Sequence, residues 1–199
     1  NLATSGGASY CDVRIGRYLQ QSIITRESKV QSIVSSESIG AGIRVLVKGA
    51  WGFAATSDLT ATGIGNAVQQ AMLIANSNAK IQTQPVQLAK APALGVVSWA
   101  TPIKINAMAI PVKEKADLLL SVNAAAMNAG ANFVNSQLFL VNEQKYFAST
   151  DGSYVDQDIH RIWPNFTVTA TDKVTGKFRT RNSLAAPMGM GYEYLAGTT

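Results

Sequence analysis

Residues 38–56 read Ser38-Ile39-Gly40-Ala41-Gly42-Ile43-Arg44-Val45-Leu46-Val47-Lys48-Gly49-Ala50-Trp51-Gly52-Phe53-Ala54-Ala55-Thr56. The apolar run from Ile43 to Val47 meets a break at Lys48-Gly49, and aromatic residues return at alternate positions, Trp51 and Phe53. That pattern is a strand, a tight turn and a second strand. Gly40 and Gly42 lead into a strand and not into a helix, so the helix N-terminus that would hold a phosphate is missing. Neither Gly40-Ala41-Gly42 nor Gly63-Ile64-Gly65 completes G-x-G-x-x-G or ends in Gly-Lys-Ser/Thr, which leaves both as turn or bulge glycines.

Upstream, Val13 and Ile15 alternate with Asp12 and Arg14, then Ile23-Ile24 and Val30 to Val34 come at short spacing, with a turn at Glu27-Ser28-Lys29. Residues 10–56 are therefore expected to form a meander of short antiparallel strands. Downstream, Ile64, Ala67, Val68, Ala71, Ile74 and Ala75 recur at three-and-four spacing, which predicts a helix over about 60–78 with Thr60 or Thr62 as its cap. Residues 79–110 hold Pro85, Pro92 and Pro102 without a sustained period, and predict an extended connector.

Pro111 opens a second helix, 111–129, with a stripe of Val112, Ala116, Leu119, Leu120, Ala124 and Met127 and with Gly130 placed as the left-handed residue past its end. A second strand group spans 131–182: Phe133 to Val141, Lys145 to Thr150, Ser153 to Trp163, Phe166 to Thr171 and Phe178 to Arg181. Asp151-Gly152 is expected there as a type I′ hairpin. Residues 183–199 are expected to start a link to a further domain. Strands, helix, connector, helix, strands predict an α+β fold over 1–199, one domain of antiparallel meanders with two main helices.

Composition narrows the function classes. Of 199 residues, 47% are hydrophobic and only 15% charged, which suits a packed core and not a disordered segment. The net charge of +5 raises nucleic acid as a partner. Lys and Arg are scattered singly, however, and the densest stretch, Lys173 to Arg181, alternates with Val174, Gly176, Phe178 and Thr180, as a solvated strand does. No apolar run approaches the ~20 residues that span a bilayer.

The candidate chemistry is sparse. Asp156, Asp158 and His160 share one face of a strand, where a metal would still need three or four converging ligands, so a wet sheet face is the stronger reading. His160 is the single histidine and Cys11 the single cysteine. These exclude a two-histidine metal helix and a disulfide within the chain, and Cys11 reads as a small buried hydrophobe. No catalytic, cofactor or metal residue is assigned.

The stretch Ser38–Thr56 resembles the N-terminal signature of the TldD/PmbA family, once called modulators of DNA gyrase. Ala8-Ser9-Tyr10-Cys11-Asp12-Val13-Arg14 resembles the family's opening strand, and Asp58-Leu59 with the Ala-rich helix resembles the family's next segment after the signature. Pro85-Val86-Gln87-Leu88-Ala89 and Tyr146-Phe147-Ala148-Ser149-Thr150-Asp151-Gly152-Ser153 are similar to its connector and to its strand-turn-strand. The resemblance implies the non-catalytic N-terminal domain of a two-domain zinc metallopeptidase, contributing to subunit assembly and the peptide cavity, with a stand-alone protein-binding module without proteolysis as an alternative. The zinc would sit on an HExxxH helix of a C-terminal domain in TldD-like members and be lacking in TldE/PmbA-like partners.

By the same resemblance, the chain would act in a homo- or heterodimer around a peptide substrate. The family's usual compartment is the cytoplasm, with export open because the chain starts at Asn1. Trp51 and Phe53 are the candidate peptide- or subunit-facing residues, and a place for both in the core is the alternative.

Overall fold

The computed structural model describes residues 2–90 and 92–197. Its elements are α1 (Leu2–Ser5), β1 (Tyr10–Arg26), β2 (Lys29–Val47), β3 (Ala50–Thr56), α2 (Ala61–Asn78), β4 (Gly95–Ala100), α3 (Val112–Asn128), β5 (Phe133–Ser149), β6 (Ser153–Thr171), β7 (Phe178–Asn182) and α4 (Glu193–Ala196). The strands form a seven-stranded sheet in the order β3-β2-β1-β5-β6-β4, with β7 paired to β6. Hairpins join β1 to β2, β2 to β3 and β5 to β6, so the fold is the α+β meander with two main helices that the element order predicts.

The strands are longer than the sequence pattern suggests. The pieces 30–34 and 43–47 are one strand, β2, and the segments either side of Pro164 are one strand, β6. Between β1, β2 and β3 the chain reverses where the backbone turns left-handed: at Glu27 (φ 45°), and at Lys48 (φ 50°) with Gly49 (φ 77°). Gly40 and Gly42 stay extended inside β2.

The β5–β6 hairpin departs from the expected type I′ turn. The amide of Gly152 bonds the Ser149 carbonyl at 3.2 Å, and positive φ falls on Gly152 (87°) alone. That is a type I turn closed by a left-handed glycine. The expected connector 79–110 contains β4, which lies next to β6 in the sheet.

The chain divides into two compact units. The first comprises the residues up to Tyr18, Ser38–Trp99 and Glu143–Asp158. Thr60 caps α2 by accepting the Gly63 amide at 3.1 Å. The helix then lays Ala67, Val68, Ala71 and Ala75 against Ile43, Val45 and Val47 of β2 and Cys11 of β1. Small residues on the helix let the backbones approach. An ideal Cβ on Gly52 of β3 would overlap the Ala71 carbonyl oxygen and stand 2.6 Å from the Ala75 amide nitrogen.

The second unit comprises Leu19–Glu37, Ala100–Asn142 and the residues from Ile159 on. Ile23, Ala116, Leu119, Leu138, Leu140, Ile162 and Tyr192 form its core. α3 buries Lys115 and Asn123 along with Ala116 and Leu119, a face that hydrophobic spacing alone misses. Asn123 donates to Thr25 Oγ1 (3.1 Å) and the Glu27 carbonyl (2.9 Å) and accepts from Ser136 Oγ. That buried amide is fully paired and pins α3 to the strands. Lys115 reaches the Ala107 carbonyl at 2.8 Å.

Candidate functional site

The first unit places Trp51 and Phe53 on the sheet face opposite α2. Antiparallel pairing sets Arg44 against Phe53 and Leu46 against Trp51, and directly opposed residues share a face. The helix side takes the alternate residues, Ile43, Val45, Ala54 and Gly52. Arg44, Trp51 and Phe53 are thereby aimed away from the core by strand period alone.

Around them the face is built from β1, β2 and β3. Asp12, 1% exposed, accepts from Arg44 Nε at 3.0 and 3.2 Å and from Arg44 Nη2 at 2.5 Å. The Tyr10 hydroxyl donates to the same carboxylate at 3.1 Å, and Arg14 lies 3.7 Å from it. The Arg44 guanidinium sits 5.1 Å from the Trp51 ring centroid, and Tyr10 meets Trp51 edge to face at 5.8 Å. Arg14 covers Phe147 in the same way at 5.5 Å. Two guanidinium groups on aromatic rings, anchored by one buried carboxylate, form a rigid array.

The electrostatics follow from that array. Hydrogen bonding to Asp12 raises the pKa of Arg44. Burial, then the Asp12 charge, raise the Tyr10 hydroxyl. At neutral pH Arg44 is therefore charged and the Tyr10 phenol neutral. Aromatic and arginine side chains are the residues that anchor protein and peptide interfaces.

Trp51 is half-buried in this array. Phe53 is not a core aromatic, being 56% exposed. It borders two adjoining grooves along the outer edge of β3. One, about 460 Å³, runs past Thr56, Asp58, Asn66, Gln70 and Ile74. The other, about 300 Å³, runs past Arg44, Trp51, Ile74 and Asn78.

The remaining sequence candidates have local explanations. Cys11 lies in the first unit's core, where burial raises its thiol pKa. His160 is buried in the second unit with its ring 3.2 Å from the Asn142 amide and its backbone amide on Thr101 Oγ1. One oxygen of Asp156 is buried without a hydrogen-bond partner. Among the described residues no three His, Cys, Asp or Glu side chains converge to hold a metal ion. This donor set does not fit a catalytic zinc, which takes three protein ligands and an open position, and no catalytic step is assigned through one. Among the described residues no helix is long and apolar enough to cross a membrane.

Sequence reasoning found Trp51 and Phe53 from their alternation but missed Arg44, Asp12 and Tyr10. The charge alternation of β1 was the available signal. It could not show which charges meet across strands.

The fold agrees with what comparison with known proteins finds. The PmbA/TldA metallopeptidase domain 1 matches residues 11–75, and the PmbA/TldA metallopeptidase central domain matches residues 107–197. The chain belongs to the PmbA/TldD family.

Similar solved structures include a candidate modulator of a DNA gyrase from Thermotoga maritima, with TM-score 0.70 and 15% identity, covering 95% of this chain and 41% of that one. TldE from Thermococcus kodakarensis gives TM-score 0.62 and 14% identity, over 92% of this chain and 42% of that one. A curated metalloprotease from Methanocaldococcus jannaschii is 21% identical over 152 residues, 76% of this chain and 34% of that protein. The chain thus spans about a third of the curated relative and less than half of these solved chains.

Proposed function

We propose that this chain is the non-catalytic N-terminal part of a TldD/PmbA-type metallopeptidase, and that it lends a peptide- or subunit-facing surface to proteolysis carried out elsewhere in the parent. The observation that carries the reading is the exposure of Phe53 beside Arg44 and Trp51. A large aromatic left in water next to an anchored guanidinium is the composition of an interface centre, where desolvation on contact supplies the binding energy. The metallopeptidase family supports proteolysis as the setting, with zinc held outside this chain.

Asp12, Tyr10 and Arg44 act here as positioning residues, fixing the ring of Trp51 so that little freedom is lost on contact. Replacing Trp51 and Phe53 by Ala in the parent, assembled with its partner subunit, tests the reading. Loss of peptidase activity beyond any loss of stability supports it, and loss of stability alone removes it. An inactive partner subunit would share this domain. An HExxxH helix in the remainder of the parent separates the two kinds.

A further inference from the structure

The pairing of β1 with β5 sets a row of side chains on the sheet face opposite α2. Thr150 donates its amide to the Cys11 carbonyl at 2.9 Å, and the Arg17 side chain meets that of Gln144 at 3.4 Å. The offset between the strands is the same at both places. Arg14 therefore stands opposite Phe147, in keeping with their 5.5 Å contact, and Gly16 stands opposite Lys145. Alternation puts Tyr10, Asp12, Arg14, Gly16 and Tyr18 on one face of β1. Gly16 is the gap in that row.

No backbone requirement explains the gap. Gly16 is not among the glycines with positive φ, and the constant offset leaves no bulge at it. A Cβ added there would meet nothing within 4 Å, so no neighbouring backbone demands a glycine either. A glycine inside a strand weakens it, and one free of these demands marks room for a ligand. The room is a pocket of about 540 Å³, a size that suits a small molecule. Phe147 and Val155 give it an apolar wall, and Gln157 a polar one.

Its charges do not cancel. Lys145 and Glu143 pair with each other at 3.0 Å. Arg14 has no such partner, because Asp12 is taken by Arg44 through three hydrogen bonds and by Tyr10 through a fourth. Arg14 approaches that carboxylate only with Nε at 3.7 Å, too far for a hydrogen bond. Its terminal amino groups keep their donors, and the Phe147 ring beneath holds the guanidinium in place. The pocket thus offers one uncancelled positive charge beside an apolar wall. A single carboxylate matches it, whereas a dianionic phosphate exceeds it and meets Glu143.

We propose that the Gly16 pocket binds a small monocarboxylate with a flat apolar body. The carboxylate accepts two parallel hydrogen bonds from Arg14, and the body lies over Gly16 against Phe147 and Val155. A free acid and the last residue of a peptide both carry this chemistry. The proposal stands apart from the reading of Trp51 and Phe53, and its binding is measured without proteolysis.

The test is amide NMR on the 199-residue chain, titrated with hydrocinnamate, hydrocinnamamide, acetate and the tripeptide alanyl-alanyl-phenylalanine. The amides of Ile15, Gly16, Lys145 and Phe147 are expected to shift with hydrocinnamate. The uncharged amide, and acetate without the ring, should each bind roughly tenfold more weakly or worse. Arg14→Gln should remove the preference for the acid over its amide. Gly16→Leu fills the pocket and should weaken hydrocinnamate roughly tenfold or more. Its urea-unfolding midpoint should hold or rise, since the added side chain enters open space and the strand loses a glycine. Tighter binding of the tripeptide than of hydrocinnamate assigns the pocket to a chain terminus, and weaker binding assigns it to a free acid.

The proposal is overturned if no shift appears at millimolar hydrocinnamate, or if the acid and its amide bind alike to the unaltered chain. Equal binding of acetate and hydrocinnamate overturns it too, since the apolar wall then contributes nothing. So does a folded Gly16→Leu chain that binds hydrocinnamate as well as the unaltered one.

Discussion

Asn78, the last residue of α2, donates its side-chain amide to the Trp51 carbonyl of β3 at 2.9 Å, joining the helix end to the sheet edge. Its exposure to water limits its worth. Asn78→Ala is expected to lower stability by about 0.5–1 kcal/mol, read as the midpoint of urea unfolding.

Gly52 is the tighter constraint. A methyl group there runs into the α2 backbone at Ala71 and Ala75, which cannot yield without lifting the helix from β3. Gly52→Ala is expected to cost about 3 kcal/mol or more. Hydrogen exchange should show the loss at α2 and β3. Protection equal to that of the unaltered chain would mean the helix is held elsewhere.

Lys115 makes the opposite case in the second unit. Its side chain is wholly buried, with the Ala107 carbonyl as its hydrogen-bond acceptor. Burial lowers its pKa, and the Glu114 charge offsets part of this. A base whose folded pKa lies below its unfolded one holds fewer protons folded than unfolded between the two values. Stability therefore rises with pH through that window, up to about 10.4. Lys115→Met is expected to abolish this rise and to leave stability at pH 7 unchanged or higher. Unfolding midpoints measured from about pH 7 to 10.5 check both.

Glu193 reverses the sign. Burial would raise its carboxyl pKa, but backbone amides, those of Gly191 and Ile105 at 2.9 Å among them, outweigh it and bring the group down to about 2. A depressed folded pKa contributes stability above the unfolded value near 4.5, and that contribution is lost as pH falls toward 2. Glu193→Gln should therefore be less stable than the unaltered chain at neutral pH. The gap should narrow between about pH 4.5 and 2, as thermal melts across that range would show.

The fold was legible where one rule acted alone. The period of α2 names the residues that are buried, and Gly130 (φ 101°) turns left-handed just past α3 as its position implies. Strand ends were not legible, because Gly40, Gly42 and Pro164 carry turn chemistry that neighbouring strands override. β4 was missed because Val96 and Trp99 stay exposed and leave no period to read.

At the site, alternation showed that Trp51 and Phe53 share a face. It could not show which face, since that depends on where α2 lands. Asp12 and Arg44 are 32 residues apart. Their pairing is a product of register, which composition does not encode.

The most direct measurement of the surface role compares two effects of one substitution, Phe53→Ala. More than half of the ring is already in water, so its loss should cost this chain no more than about 1 kcal/mol in urea unfolding. In the parent assembly kcat/KM for peptide cleavage is expected to fall by roughly tenfold or more, as removal of an interface anchor does. Unchanged kcat/KM, or a fall no larger than the stability loss explains, would contradict it.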